Sequence, residues 1–314
     1  MIIYTQRACG ALYRFIMLNP MGCYILPANV CPVVPLTILK AGRSVEFVDI
    51  SSQTLCMDKD ACLSKIAKED NCYVGVIFVQ TYGVNYDTSE FCNSLKALKP
   101  DILFVEDRCL CIPNFNTISS DVDLYLYSTG YAKYVELGYG GFAISTKQNI
   151  MSNENLKYST KDCEEFEVLY KKSFNEKTII EDISKLYWLD ISVIDKNTNY
   201  ESSLIEKKRI IDKHKLEINN LYQTLLPQSI QLDSRFQTWR FNIILPNSDY
   251  VMQKIFSNGL FASKHYQTSA YLFDNSTKYH VADDLYRNII NLFNDLHFTL
   301  SQAERICKII NTNI

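Results

Sequence analysis

Ser128-Thr129-Gly130-Tyr131-Ala132-Lys133 runs on through Tyr-Val-Glu-Leu into Gly138-Tyr139-Gly140-Gly141, between strand-like Leu124–Tyr127 and strand-like Gly141–Ser145. A lysine on a tight loop at the end of a buried strand, with a hydroxyl five residues upstream and glycines downstream, suits the Schiff-base chemistry of pyridoxal phosphate. Burial is expected to lower the pKa of that amine and make it nucleophilic. Ile102-Leu-Phe-Val-Glu106-Asp107, 26 residues earlier, reads as a strand ending in carboxylates, and an acid there can pair with the pyridinium nitrogen of the same cofactor. Taken singly, each has a plainer reading: a lone lysine after a strand is usually exposed, and Asp107 could cap the turn after its strand. Ser128, Lys133 and Asp107 in one frame favour a cofactor site.

Outward from this stretch, residues 2–150 alternate two kinds of segment. Tyr24–Leu26, Val45–Ile50, Val74–Val79, Ile102–Val105, Leu124–Tyr127 and Gly141–Ser145 are apolar runs expected to be strands buried on both faces. Gln6–Met17, Pro32–Ala41, Asp60–Lys68 and Ser89–Leu98 have helical spacing and supply crossovers. The class is α/β with a mainly parallel sheet. From 151 to 200 Asn, Lys, Glu and Asp dominate without a clean strand, and Tyr187-Trp188-Leu189-Asp-Ile191 is expected to pack as helix. Glu201–Leu226 is a long amphipathic helix ended by Pro227, with Glu206-Lys-Lys-Arg209 as its solvated face. A strand–helix–strand–helix unit follows, from Thr238–Leu245, Tyr250–Asn258, Phe261–Ser263, Asn288–Leu292 and Ser301–Ile310.

The 314 residues carry 21% charged and 47% hydrophobic side chains and a net charge of -3, which gives no reason to expect nucleic acid or an anionic membrane as partner. Eleven cysteines are scattered with no Cys-x-x-Cys pair, so neither a disulfide framework nor a zinc site is expected and the cytoplasm is the expected compartment. Cys109-Leu-Cys111, on a strand-like stretch, is expected to put both thiols on one buried face. Arg7 and Arg14 interrupt the apolar start and Asn19-Pro20 ends it, so no targeting or spanning segment is expected.

Four stretches carry a resemblance. They are Leu26-Pro27-Ala-Asn-Val-Cys31-Pro32 through Ala41-Gly42 to Val45–Ile50; Val105-Glu106-Asp107; Ser128 through Lys133 to Gly141; and Phe261-Ala-Ser-Lys-His265-Tyr266 with Ile290-Asn-Leu and Leu300-Ser-Gln-Ala-Glu. In their order and spacing the chain resembles the DegT/StrS-type sugar aminotransferases, across nearly its whole length. The resemblance implies a fold-type-I, aspartate-aminotransferase-like architecture, with a cofactor-binding large domain over 1–200 and a connecting helix and small α/β domain over 201–314. It implies a homodimer with sites at the subunit interface, and transfer of an amino group from an amino acid donor, glutamate being expected, to a keto group of a nucleotide-linked deoxysugar.

By the same resemblance Lys133 attaches pyridoxal phosphate and moves the proton, and Asp107 pairs with the ring nitrogen. Ser128 and the backbone N–H groups around Gln6, Arg7 and Ala8 hold the phosphate, with Arg7 adding charge. His265 and Tyr266 face the substrate, with Tyr82 as a further candidate. A lysine rather than a histidine at 133 argues against the family's dehydratase branch. The departures are as specific. Leu110 stands where the family commonly has Gln or His to bond the ring hydroxyl, and Cys31 where an aromatic often stacks on the ring. No Asn-x-Arg follows between 150 and 200, and the chain starts close to its first helix. These departures keep a rival open: a catalytically degenerate homologue acting as a ligand-binding or partner subunit, for instance in surface-polysaccharide synthesis.

Overall fold

The computed structural model describes residues 1–68, 72–116, 119–146, 156–176, 178–180, 183, 185–195 and 198–314. Its main sheet has seven strands: β1 (Ile2–Thr5), β2 (Cys23–Pro27), β3 (Ser44–Val48), β4 (Tyr73–Val79), β5 (Leu103–Asp107), β6 (Leu124–Ser128) and β7 (Gly141–Ser145), in the order β1-β7-β6-β5-β4-β2-β3. β3, β2, β4, β5 and β6 are parallel, whereas β7 runs antiparallel to both β6 and β1. The expected mainly parallel sheet is present. Every residue of β2 and β7 is buried, as strands covered on both faces require. The covering helices are α1 (Ala8–Met17), α2 (Val33–Lys40), α3 (Lys59–Lys68) and α4 (Ser89–Leu98).

The residues between the sheet and the long helix depart from expectation. Tyr187–Ile191 is not helical. The chain there runs alongside β1, where Gln6 N–H donates to Ser192 O at 2.9 Å, Ile194 N–H donates to Tyr4 O at 2.9 Å, and Val193 bridges Thr5. β1 itself, at four residues, is too short to stand out by periodicity. Its buried backbone groups at the sheet edge need partners, and the extended segment supplies them. An unforeseen helix, α5 (Thr160–Glu176), precedes that segment and buries only Cys163, Phe166 and Ser173, too sparse an apolar face to read. Phe166 stacks on Trp188 with centroids 4.1 Å apart.

The helix α6 (Tyr200–Leu225) leads to a second sheet, antiparallel and ordered β8 (Phe241–Ile244), β10 (Ile289–Leu292), β9 (Ala262–Ser263). It is packed by α7 (Ser248–Ser257), α8 (His280–Asn288) and α9 (Leu300–Asn313). Of these, α8 was not expected. α9 opens on a capping box, Thr299 with Gln302, which satisfies two orphan N–H groups at once. A second apolar core forms around Ile218, Tyr222, Ile243, Val251, Leu292 and Ile306. Phe236, Trp239, Ala270 and Tyr279, although late in the chain, belong instead to the core of the main sheet. The C-terminal part is thereby held against the sheet beside the Lys133 loop.

Candidate active site

The parallel strands β4, β5 and β6 end together at Val79, Asp107 and Ser128, and the carboxyl ends of such strands are where α/β sheets bind ligands. The chain after Ser128 forms a closed loop. Leu137 N–H donates to Thr129 O at 2.8 Å and Thr129 N–H donates to Gly140 O at 3.0 Å. Within it, Ala132 holds φ at +56°. Trp239 Nε1–H donates to Ala132 O at 2.7 Å, and Glu136 Oε2 accepts from Ala132 N–H at 2.9 Å. Tyr134 hydroxyl donates to Asp212 on α6 at 2.7 Å. A non-glycine residue in this region is kept only where its surroundings over-determine it, and these bonds fix the backbone that presents Lys133.

Lys133 opens into a cavity of about 430 Å³ shared with Asp107, Ser128, Cys31, Cys109, Gly140 and the lead into α1, Gln6, Arg7 and Ala8. A smaller cavity of about 20 Å³ shares Cys31, Asp107, Cys109 and Lys133 and adds Asn29, Val79, Thr81, Leu110 and Tyr266. The residue at the N-cap of α1, Arg7, is extended, no side chain caps the helix and its first turn carries no acid. That end of a helix offers N–H groups and a positive dipole to an anion. Gly140 (φ +86°) lines the same side, and a Cβ there would lie 2.5 Å from the Tyr200 ring. At Gly141 a Cβ would lie 2.7 Å from Ala8 N, so only glycine lets the loop close onto the helix start. Anion-binding backbone, a strand-end carboxylate and an amine on one cavity are the donor set that pyridoxal phosphate needs, and the residues fit it.

The pKa of Lys133 runs opposite to the expectation. Burial pushes its pKa down, yet the acidic groups around it, Tyr266, Cys109, Cys31 and Asp107, outweigh burial and hold it above the ordinary lysine value. Burial pushes the thiols of Cys31 and Cys109 and the phenol of Tyr266 upward in turn. Asp107 is 5% exposed and its Oδ1 accepts from Cys109 N–H at 3.0 Å. Burial, with Arg240 and Lys133 nearby, pushes His265 down to about 3, so its ring is neutral.

The residues expected from sequence divide by place. Lys133, Asp107, Ser128, Gln6, Arg7, Ala8 and Cys31 share the larger cavity, and Tyr266 lines the smaller one, but the Gln6 N–H expected to meet the phosphate donates instead to Ser192 O at 2.9 Å. Tyr82 and His265 stand behind it. Trp239 is sandwiched with Tyr82 at 6.4 Å and Tyr266 at 6.2 Å, His265 meets it edge-on at 5.4 Å, and Tyr82 hydroxyl donates to His265 O. Leu110 is buried against the small cavity and offers no polar atom from its side chain. Asp87 accepts from Ser89 N–H at 2.9 Å just before α4. Cys109 and Cys111 lie in a turn and not on a strand, Cys109 on the Lys133 cavity and Cys111 on a separate open cleft of about 800 Å³ with Arg108 and Arg235. Tyr131, Tyr158 and Asp190 also line the Lys133 cavity. Nothing in their local sequence marks them.

No family model matches the sequence, and no curated protein does. Solved structures do match the fold. A DegT DnrJ EryC1 StrS aminotransferase from Brucella abortus is 16% identical, with a TM-score of 0.70 over 99% of this chain and 85% of its own. The chain adopts the fold of the DegT-type aminotransferases. DesI in the presence of its TDP-sugar product matches with a TM-score of 0.74 at 12% identity, covering 99% of this chain and 80% of that one. NtdA from Bacillus subtilis with bound cofactor PMP matches at 0.70 and 17%, covering 99% and 72%. In this aminotransferase fold the Lys133 cavity sits where the main sheet meets the C-terminal segment carrying Trp239 and Tyr266.

Proposed function

We propose that the chain is a pyridoxal-phosphate-dependent aminotransferase that moves an amino group from an amino acid, glutamate in this reading, to a keto group of a nucleotide-linked deoxysugar. The observation that carries the reading is the convergence of Lys133, Asp107, Ser128 and the start of α1 on one cavity at the strand ends of an aminotransferase fold. A sugar-nucleotide acceptor is supported by the TDP-sugar product named with DesI.

Bound in this cavity, pyridoxal phosphate supplies an electron sink for the carbon that loses its proton. Lys133 provides the amine that anchors the group, and the same amine then moves the proton at the donor's α-carbon. Asp107 holds the proton on the ring nitrogen. Ser128 and the N–H groups at the start of α1 hold the phosphate, with the Arg7 guanidinium beside them. Tyr266, backed by Trp239 and Tyr82, closes one wall against water.

The protein with added pyridoxal phosphate should be yellow, lose that absorbance on adding glutamate, and regain it with a nucleotide-linked ketosugar. Colour that neither glutamate nor any other amino acid moves would favour the ligand-binding homologue, and no colour at all would remove the cofactor.

The same reading divides the chain near residue 200, at the start of α6, and pairs it with a second copy. Tyr131 and Tyr139 rim the cavity at 77% and 45% exposure, apolar surface that a neighbouring subunit would cover. Sedimentation should give twice the chain mass of 36.3 kDa. A monomer at micromolar concentration would refute the dimer.

A further inference from the structure

We propose that Asn29 donates a hydrogen bond to the ring hydroxyl oxygen of the bound cofactor, an inference that rests on the aminotransferase reading of the site. Asn29 follows β2 and is 3% exposed, and its Nδ2 is buried without a hydrogen-bond partner. A buried donor left unpaired is costly, and in a native structure it calls for an explanation. The turn that carries it is pinned. Ala28 N–H donates to Val48 O at 2.8 Å, Val30 N–H donates to Pro27 O at 3.1 Å, and Ser269 hydroxyl donates to Val30 O at 2.6 Å. These bonds hold the backbone from which the side chain projects.

The two cavities say what it faces. They share Lys133, Asp107, Cys31 and Cys109, so the ring that joins the amine to the carboxylate lies along their common wall. In pyridoxal phosphate the ring nitrogen is opposite the aldehyde carbon, and the phosphate arm and the hydroxyl flank that carbon on opposite sides. With the arm directed to Ser128 and the start of α1, the hydroxyl faces the other side, lined by Asn29, Val79, Thr81, Leu110 and Tyr266. Leu110 supplies no side-chain donor there. Thr81 already turns its hydroxyl to Val79 O at 3.5 Å. Of the described residues lining that side, Asn29 carries a donor that is buried and without a partner.

The test compares wild type, Asn29→Ala and Asn29→Asp by three readouts: the pyridoxal phosphate dissociation constant from the Schiff-base absorbance, the pH midpoint of that band, and the urea midpoint of the cofactor-free protein. Loss of one hydrogen bond to a charged oxygen should weaken binding about tenfold in the alanine variant. A carboxylate facing the same oxygen should weaken it further. Without the donor the ring oxygen holds the neighbouring imine proton more tightly, so the band's midpoint should rise by about one unit. The cofactor-free urea midpoint should stay level or rise, because the alanine removes an unpaired buried group. Wild-type affinity and pH midpoint in Asn29→Ala would overturn the proposal, as would a fall in its cofactor-free stability or tighter binding by Asn29→Asp. A wild type that forms no Schiff base would overturn the aminotransferase reading and this inference together.

Discussion

A Lys133→Ala protein should form no covalent link to pyridoxal phosphate and should lose turnover by ~10⁴-fold or more, because one amine serves as both nucleophile and proton carrier. It should still take up some cofactor, since Ser128 and the start of α1 line the same cavity and do not depend on the amine. The fold should survive the change. The loop is held by Trp239 Nε1–H on Ala132 O and by Tyr134 on Asp212, neither of which involves the lysine side chain. Single-turnover absorbance with glutamate, alongside a thermal melt, measures both halves of this expectation. Turnover within tenfold of wild type would show that another group does the chemistry.

The second large effect is at Asp107. In an Asp107→Asn variant the side-chain amide oxygen could still accept from Cys109 N–H, which in the native protein meets Asp107 Oδ1 at 3.0 Å, so folding should be kept while the negative charge is lost. A neutral partner cannot hold the ring nitrogen protonated. Removing one such electrostatic partner costs on the order of 3 kcal/mol in the transition state, so the glutamate half-reaction should slow on the order of 100-fold. Near-normal rates would take Asp107 out of the site.

Much of this site was legible because its central residues sit at the ends of strands whose apolar runs announce themselves. Asp107 closes β5, Ser128 closes β6, and Lys133 is five residues further along the same loop. The glycines at 140 and 141 were visible but ambiguous. Only the packing of α1 and Tyr200 against them shows why side chains are forbidden. What the sequence hid is tertiary. Trp239 is more than 100 residues from the loop whose Ala132 it bonds. Asn29 matters through a missing partner, which no local pattern records. The direction of the amine's pKa was missed for a related reason: burial alone would depress it, and Tyr266, Cys109, Cys31 and Asp107, which push it up, become neighbours only on folding. Tyr187–Ile191 has helix-like apolar residues, but the chain runs on without a helix into Ser192–Ile194, which pair with the open edge of β1.

Borohydride reduction of the protein loaded with pyridoxal phosphate, followed by proteolysis and mass mapping, tests the central claim most directly. The cofactor mass should fall on one peptide and one lysine, Lys133. Modification of a different lysine, or no stable adduct after reduction, would contradict the site described for this chain.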